Sequence, residues 1–196
     1  MTYLRLRTEN EIINRWPDRL PCPVISICSI TYNHAPYIKD AIEGFLIQDT
    51  DVPFEIIIHD DASTDKTAEI IRGYVARYPR LIKPIYQAEN QYSRGIDPAF
   101  KYLLPKARGK YIALCEGDDY WTEPLKLQTQ VDFLEANHGF SMCSHAVKTV
   151  YSDDWQLPEC NRFHPPVKIA GFEDILNNHF IPTNSLVFRN GLIKNW

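Results

Sequence analysis

Three short polar clusters each follow an apolar stretch of the sequence: Thr31–His34, Asp60–Asp65 and Glu116–Trp121. The second and third are rich in carboxylates, which repel one another when they are held close together. A divalent cation relieves that repulsion, and hard oxygen ligands suit magnesium or manganese. Taken singly, the second cluster also fits an acidic loop that caps a helix, and the third fits a solvated turn. Their chemistry therefore depends on whether the fold brings them together.

The clusters are separated by alternating strand and helix patterns. Apolar runs rich in β-branched residues predict four strands, at Val24–Ile30, Phe54–His59, Leu81–Tyr86 and Tyr111–Cys115. Apolar residues at helical spacing follow the first, second and fourth of these strands. These helices are predicted to begin near Pro36, after an N-cap at Ser63, and near Thr122, and a shorter helix is predicted at Pro98–Leu104.

Strands that alternate with helices predict an α/β fold with a mostly parallel central sheet and helices on both faces. In such sheets ligands bind beyond the carboxyl ends of the strands, which is where all three polar clusters are expected. We expect an N-terminal accessory helix over 1–22, the core over 23–137 and a further segment over 138–196. In that segment the sequence predicts a loop at Tyr151–Pro166, a helix at Gly171–Asn178 and a strand at Ser185–Phe188.

Composition excludes several classes of protein. The chain has 196 residues, 44% of them apolar and 23% charged, and a formal net charge of −4, which is typical of a globular domain. Its Lys and Arg residues are scattered, which argues against a dedicated nucleic-acid-binding protein. No apolar stretch reaches about 18 residues and the N-terminus is charged, so we expect no membrane span, no signal peptide and a cytoplasmic location. The motifs GxGxxG and GxxxxGKS/T are absent, which argues against a Rossmann dinucleotide-binding protein and against a P-loop nucleotide-binding protein.

The motifs VISICSITYNHAPYI, FEIIIHDDASTDKTAEII and GKYIALCEGDDYWTEPLKLQTQVDFLE resemble those of family 2 inverting glycosyltransferases of bacterial type. The resemblance covers Val24–Ala136 in order and spacing, and Phe172–Asn190 is similar to the family's acceptor-side segment. It implies the GT-A fold, a Rossmann-like three-layer sandwich. The chain stops abruptly at NGLIKNW, so we expect it to be truncated at its C-terminus.

The resemblance also implies roles for individual residues. Asp118 matches the main ligand of a Mn²⁺ or Mg²⁺ ion, with Asp119 beside it. One carboxylate of the second cluster is expected to accept a hydrogen bond from the nucleotide base, and Glu116 stands where the family usually has an Asp near the ribose. Arg94 matches a variable basic position near the diphosphate, although a simple surface Arg fits equally well. The positions matched to the nucleotide are Thr31, Tyr32, Asn33, Asp60, Asp61, Arg94 and Glu116.

The implied reaction moves a sugar from a nucleotide-sugar donor, expected to be a UDP-sugar, to an acceptor hydroxyl with inversion. The acceptor is expected to be a saccharide or a lipid-linked saccharide in surface polysaccharide or lipopolysaccharide synthesis, which would bring the protein to the inner face of the membrane. The general base is expected beyond residue 196. The carboxylates and histidines otherwise available to act as the base are Asp153, Asp154, Glu173, Asp174, His145, His164 and His179.

Two other functions are weighed against this one. A non-catalytic binding module would keep the GT-A fold without the reaction. A sugar-phosphate nucleotidyltransferase shares a related architecture, but it needs a Gly-rich loop followed by Arg and Lys near the first strand, and TYNHAPYIKD lacks that pattern.

Overall fold

A six-stranded mixed sheet forms the centre of the protein. The computed structural model describes residues 5–17, 22–150, 169–171, 173 and 181–192. Its strands follow the spatial order β3-β2-β1-β4-β6-β5, and β1 to β4 run parallel, whereas β6 is antiparallel to both of its neighbours. The strands are β1 (Ile25–Thr31), β2 (Phe54–Asp60), β3 (Ile82–Tyr86), β4 (Tyr111–Leu114), β5 (Met142–Cys143) and β6 (Val187–Arg189). The predicted α/β fold with a mostly parallel sheet is confirmed.

In the part of the chain that the structure describes, four α-helices and several short turns pack around the sheet. The helices are α1 (Glu9–Ile13), α2 (Ile38–Leu46), α3 (Thr67–Arg77) and α4 (Lys126–Ala136). Short 3₁₀ turns lie at Tyr92–Arg94, Leu104–Lys106 and Thr183–Ser185, and a π turn lies at Ala99–Leu103. None of the helices in the described part of the chain is long and apolar enough to cross a membrane.

Alternate strand residues point to two separate cores because side chains in a strand alternate between its faces. Ile27 and Ile56 belong to the larger core, which also contains buried residues of all four helices. Cys28 and Ile57 belong to the smaller core on the opposite face, beside Leu103 of the π turn. The sheet is therefore the middle of three layers. All four α-helices contribute to the core on one face, whereas the π and 3₁₀ turns at Ala99–Lys106 cover the other, so the prediction of helices on both faces holds in the described residues only through these short turns.

The N-terminal region is more integrated than the sequence predicts. A separate helix over 1–22 is wrong for the described residues, since α1 is limited to Glu9–Ile13. A capping box starts it, in which Thr8 and Glu11 exchange hydrogen bonds between side chain and backbone. Its Ile12 is buried in the larger core, so the region packs against the sheet domain.

The start of α3 also differs from the prediction. Ser63 does not cap this helix, because its hydroxyl donates a hydrogen bond to Asp60 and the helix begins only at Thr67. The N-cap residue is Lys66, whose side chain makes no capping bond. The preceding Asp65 binds the first helical residue, since its Oδ1 accepts bonds from the Thr67 N–H at 2.9 Å and the Thr67 hydroxyl at 2.6 Å. These bonds lower the pKa of Asp65 against the opposing effect of its burial.

Two further elements differ from their predicted form, and two lie wholly or mostly outside the described residues. The short helix predicted at Pro98–Leu104 is a π turn followed by a 3₁₀ turn, since Pro105 lacks the N–H that would continue a regular helix. The strand predicted from Ser185 starts at Val187, because Ser185 ends a 3₁₀ turn. The predicted loop at Tyr151–Pro166 lies outside the described residues, as does the helix at Gly171–Asn178 apart from residues 171 and 173.

Candidate active site

The three polar clusters meet at one edge of the sheet. Strand β1 lies between β2 and β4, and Thr31 at its end pairs in register with Asp60 at the end of β2. The third cluster begins just beyond β4, where the Gly117 N–H donates a 2.8 Å hydrogen bond to the carbonyl of Ile30. The predicted convergence at the carboxyl ends of parallel strands is therefore present.

Asn33 joins the first cluster to the second. Its backbone adopts a left-handed conformation, with φ of 55°. Its N–H donates to the Ser63 hydroxyl at 2.9 Å, and its side-chain oxygen accepts the Thr64 N–H at 2.8 Å. Asn33 thus fixes the position of one loop against the other, while Tyr32 beside it stays 42% exposed. A left-handed non-glycine residue persists only where its surroundings hold it in place.

The two carboxylates that end β2 are buried and have different partners. Asp60 accepts hydrogen bonds from Ser63. Asp61 accepts the backbone N–H groups of Gln91 at 2.8 Å and Tyr92 at 3.0 Å. Asp61 therefore anchors the loop that follows β3, a contact that spans thirty residues of sequence and has no local signal.

The acidic loop after β4 packs directly on β1. Gly117 is buried, and an added Cβ there would lie 2.6 Å from the Thr31 hydroxyl. That hydroxyl has no hydrogen-bond partner among the described residues. Thr31 thus lies beneath the loop, and His34 stands beside it, with Nδ1 3.8 Å from Asp118 Oδ1. His34 belongs to the first polar cluster of the sequence, but no function is predicted for it there.

Charge is concentrated in this loop. The pKa of Glu116 is raised by burial and by the negative charges of Asp118 and Asp119. The pKa of Asp119 is raised by burial and by Asp118, against a smaller opposite effect of His34. A bound cation would favour the ionised form of both groups.

The donor set suits a hard divalent ion. Asp118 and Asp119 offer carboxylate oxygens, and the side chain of Asp118 is half exposed. Within the described ranges no group of three His, Cys, Asp or Glu residues is arranged to hold a metal. An ion bound here would therefore depend on oxygens from outside these residues to fill its coordination, as Mg²⁺ commonly does with substrate phosphates.

Several predicted residues are not part of this cluster or lie outside the described residues. Arg94 is exposed and pairs with Glu89, so the simple surface role fits its position here. Glu173 is exposed. His145 lines a cavity beside the acidic loop. The other residues considered as a general base lie outside the described residues: Asp153, Asp154, Asp174, His164 and His179.

The cavity beside the acidic loop has a volume of about 900 Å³. It extends from Asp118–Glu123 past the first turns of α4 to the segments 145–150 and 182–184. Trp121 forms part of it, and its indole N–H donates to the Asn184 carbonyl at 2.7 Å. Sequence reasoning did not identify Lys126, Gln130 or Asn184 as residues of a site.

Comparison with known proteins agrees with these observations. The model of Glycosyl transferase family 2 matches residues 26–196. The chain is 45% identical over 168 residues to the uncharacterized protein Rv1520 of Mycobacterium tuberculosis. This alignment covers 84% of the present chain and 46% of the relative. It is 31% identical over 160 residues to TuaG of Bacillus subtilis, whose name assigns it to teichuronic acid biosynthesis, covering 81% of this chain and 59% of that protein. The chain thus spans about half the length of these relatives.

A third relative carries a more specific name. Over 117 residues the chain is 36% identical to the UDP-Glc:alpha-D-GlcNAc-diphosphoundecaprenol beta-1,3-glucosyltransferase WfaP of Escherichia coli, covering 60% of this chain and 43% of that protein.

Two solved structures share the fold. TarS 1–349 of S. aureus in complex with UDP superimposes with a TM-score of 0.60 at 21% identity, covering 85% of this chain and 46% of that one. The mannosyltransferase PcManGT of Pyrobaculum calidifontis, in complex with GDP-Man and Mn²⁺, gives a TM-score of 0.55 at 28% identity, covering 68% of this chain and 38% of that one. The family match covers most of the sequence, including all three polar clusters, and the chain therefore belongs to glycosyl transferase family 2.

Proposed function

We propose that this chain forms the donor-binding part of an inverting glycosyltransferase, which moves a sugar from a UDP-sugar to an acceptor hydroxyl. The observation that carries the proposal is the meeting of Thr31–His34, Asp60–Asp61 and Glu116–Asp119 at the carboxyl edge of parallel strands. A nucleotide diphosphate fits that edge, since its base, ribose and phosphates span the width of three strands. The names of WfaP and TuaG support a UDP-sugar donor and a role in surface polysaccharide synthesis.

Each cluster has a proposed task. Tyr32 is exposed enough to pack on the base, and Thr31 and Asn33 shape the loop that holds it. Either Asp60 or Asp61 accepts a hydrogen bond from the base, and Glu116 approaches the ribose. Arg94 would approach the diphosphate only by leaving Glu89, its present partner.

The proposed metal ligands are Asp118 and Asp119, and the proposed ion is Mn²⁺ or Mg²⁺. PcManGT in complex with Mn²⁺ supports a divalent ion. When bound, the ion would act as a Lewis acid that neutralises charge on the departing nucleoside diphosphate. The loop contributes by holding its carboxylates close together, and the buried Gly117 sets their distance from β1.

The acceptor is proposed to be a saccharide or a lipid-linked saccharide. Its hydroxyl would lose a proton to a general base as it attacks the anomeric carbon from the side opposite the leaving group. We assign that base to no described residue. A lipid-linked acceptor would bring the protein to a membrane surface, consistent with the diphosphoundecaprenol in the name of WfaP.

Calorimetric titration of UDP and of GDP, each with and without MnCl₂, tests the donor site. We expect UDP to bind in the presence of Mn²⁺ and to bind at least about tenfold more weakly without it, a loss of about 1.4 kcal/mol. Asp118→Asn should remove the Mn²⁺ effect. Asp132→Asn, an exposed carboxylate on α4, is the matched control and should behave as wild type. Failure of both nucleotides to bind, or binding indifferent to Mn²⁺ and to Asp118→Asn, would contradict the proposal.

A further inference from the structure

The cavity beside the acidic loop contains basic groups that the donor site does not use. We call it the 118–184 cavity, bounded by Asp118–Glu123, Lys126–Gln130, His145–Val150 and Pro182–Asn184. Carboxylates line it on the side of the acidic loop. Lys126, His145 and Lys148 also line it, so a ligand there meets both signs of charge.

Lys126 is unusual because its amine is buried without a counter-ion. The residue is 4% exposed, and its Nζ lies 4.0 Å from the centre of the Trp121 ring. The amine donates one hydrogen bond, to Gln130 Oε1 at 2.7 Å, and no carboxylate pairs with it in the described part of the chain. A buried charge normally has a partner of opposite sign, so this amine can take an anion from a ligand.

The groups that face Lys126 do not supply that anion. Burial lowers the pKa of Lys126 to about 7. Burial raises the pKa values of Cys115 and Cys143 and lowers that of His145, so all three are neutral at pH 7. The remaining contacts are the neutral Gln130 amide and the Trp121 ring. Lys126 therefore has no negatively charged partner among these groups.

Two residues that line the cavity, His145 and Asn184, each carry a buried polar atom without a partner in the described part of the chain. His145 Nε2 and Asn184 Oδ1 are buried and have no hydrogen-bond partner among the described residues. His145 Nδ1 lies 2.8 Å from the Ala146 carbonyl, which places the proton of the neutral ring on Nδ1 and leaves Nε2 as an acceptor. Both atoms can therefore accept hydrogen bonds from hydroxyl groups. A buried acceptor without a donor is costly, and a ligand that donates would remove that cost.

We propose that the 118–184 cavity binds a saccharide that carries an anionic group, a carboxylate or a phosphate. The anion lies at the Lys126 amine, and sugar hydroxyls donate to His145 Nε2 and Asn184 Oδ1. This inference rests on the proposed function, which brings the reacting saccharides next to Asp118, and it adds the charge class of one of them. The cavity is large enough for a disaccharide, because ligand pockets of this kind measure about 300–1,000 Å³.

Binding of an anion should be linked to protonation of Lys126. A negative charge beside the amine favours its charged form and raises its pKa. Because burial lowers the pKa of the free amine to about 7, binding of an anion near neutral pH should be accompanied by uptake of a fraction of a proton. A role of Lys126 that is only structural predicts no such uptake.

The test compares three small probes by calorimetry at pH 7: methyl β-D-glucuronide, glucose 6-phosphate and the neutral methyl β-D-glucoside. We expect at least one anionic probe to bind about tenfold more tightly than the glucoside, and the two anionic probes separate a carboxylate site from a phosphate site. Lys126→Met should abolish the preference. Lys39→Met, an exposed lysine on α2, is the matched control and should retain it. Titrations in Mops and in Tris, which differ in heat of ionisation, measure the proton uptake.

Equal affinity for the charged and neutral probes, absence of binding by all three, or a preference that survives in Lys126→Met would overturn the inference. If Lys126→Met does not fold, proton uptake by the wild-type protein decides, and zero uptake overturns it. UDP titration in the presence of Mn²⁺ separates the two proposals. If the wild-type protein binds UDP but does not prefer the anionic probes, only this inference is refuted. If the wild-type protein does not bind UDP, the proposed function is refuted.

Discussion

Alanine at position 117 would place a methyl group where no atom fits. A Cβ built on Gly117 lies 2.6 Å from the Thr31 hydroxyl, 2.7 Å from the Thr31 Cβ and 3.1 Å from His34 Nδ1. Carbon atoms in contact prefer separations of about 3.5–4.0 Å, so the acidic loop would have to move by about 1 Å. The Thr31 Cβ is attached directly to the backbone of β1, so rotation of a side chain cannot relieve the contact.

The expected consequence is a loss of ligand affinity larger than the loss of stability. Overpacking of a buried site costs about 1–3 kcal/mol, which the fold should survive. A displacement of about 1 Å in the loop that carries Asp118 should weaken Mn²⁺-dependent nucleotide binding by as much as about 100-fold.

Urea denaturation and calorimetric titration of UDP with Mn²⁺ measure the two effects of Gly117→Ala. Gly73→Ala is the matched control, because a Cβ on Gly73 meets no atom within 4 Å. That helix position should gain about 0.5–1 kcal/mol of stability and keep wild-type nucleotide affinity. If Gly117→Ala binds nucleotide as the wild type does, the reasoning that Gly117 sets the position of the acidic loop is wrong.

Three further substitutions have definite expected outcomes. Glu55→Ala should lower the free energy of unfolding by about 2 kcal/mol in urea titrations, because the buried Glu55 carboxylate accepts hydrogen bonds from three N–H groups of Arg108. The control is Glu69→Ala, an exposed position on α3, which should change the free energy of unfolding by less than about 0.5 kcal/mol. Asp61→Ala should speed hydrogen exchange of the two amides that its carboxylate holds and weaken nucleotide binding; unchanged exchange would refute its anchoring role. Asp119→Asn should stabilise the metal-free protein by about 0.5–2 kcal/mol at pH 7. The pKa of the Asp119 carboxyl is raised in the folded protein, so the wild type loses stability as the pH rises through that pKa, and the amide does not. An unchanged or lower melting temperature of the variant would contradict this.

The strands and the meeting of the clusters could be predicted because local sequence determines them. The run FEIIIHD is buried at every position, as expected of a central strand in a parallel sheet. Once β1, β2 and β4 are parallel neighbours, the residues that follow them must share one edge. The prediction of the site therefore needed only the order of the strands and the residues after them.

What the sequence could not reveal depends on contacts between distant residues. Ser63 is a good capping residue by type, but its hydroxyl donates to Asp60, and the N–H of the first helical residue, Thr67, donates to Asp65. Lys126 looks like an exposed lysine at the start of a helix, yet packing of α4 against Trp121 buries it. The spacing of residues along the sequence does not indicate which of two hydrogen-bond partners a side chain will choose. It also does not indicate how deeply a side chain will be buried.

A crystal structure of the protein grown with UDP and MnCl₂, with anomalous data for manganese, would show directly whether the acidic loop binds a metal beside the nucleotide. We expect a manganese peak at a distance of about 2.0–2.6 Å from a carboxylate oxygen of Asp118 or Asp119. We also expect the uracil to lie between Tyr32 and the Asp60–Asp61 pair. Manganese bound away from the acidic loop, or UDP bound away from the carboxyl edge of β1 and β2, would contradict the proposed function.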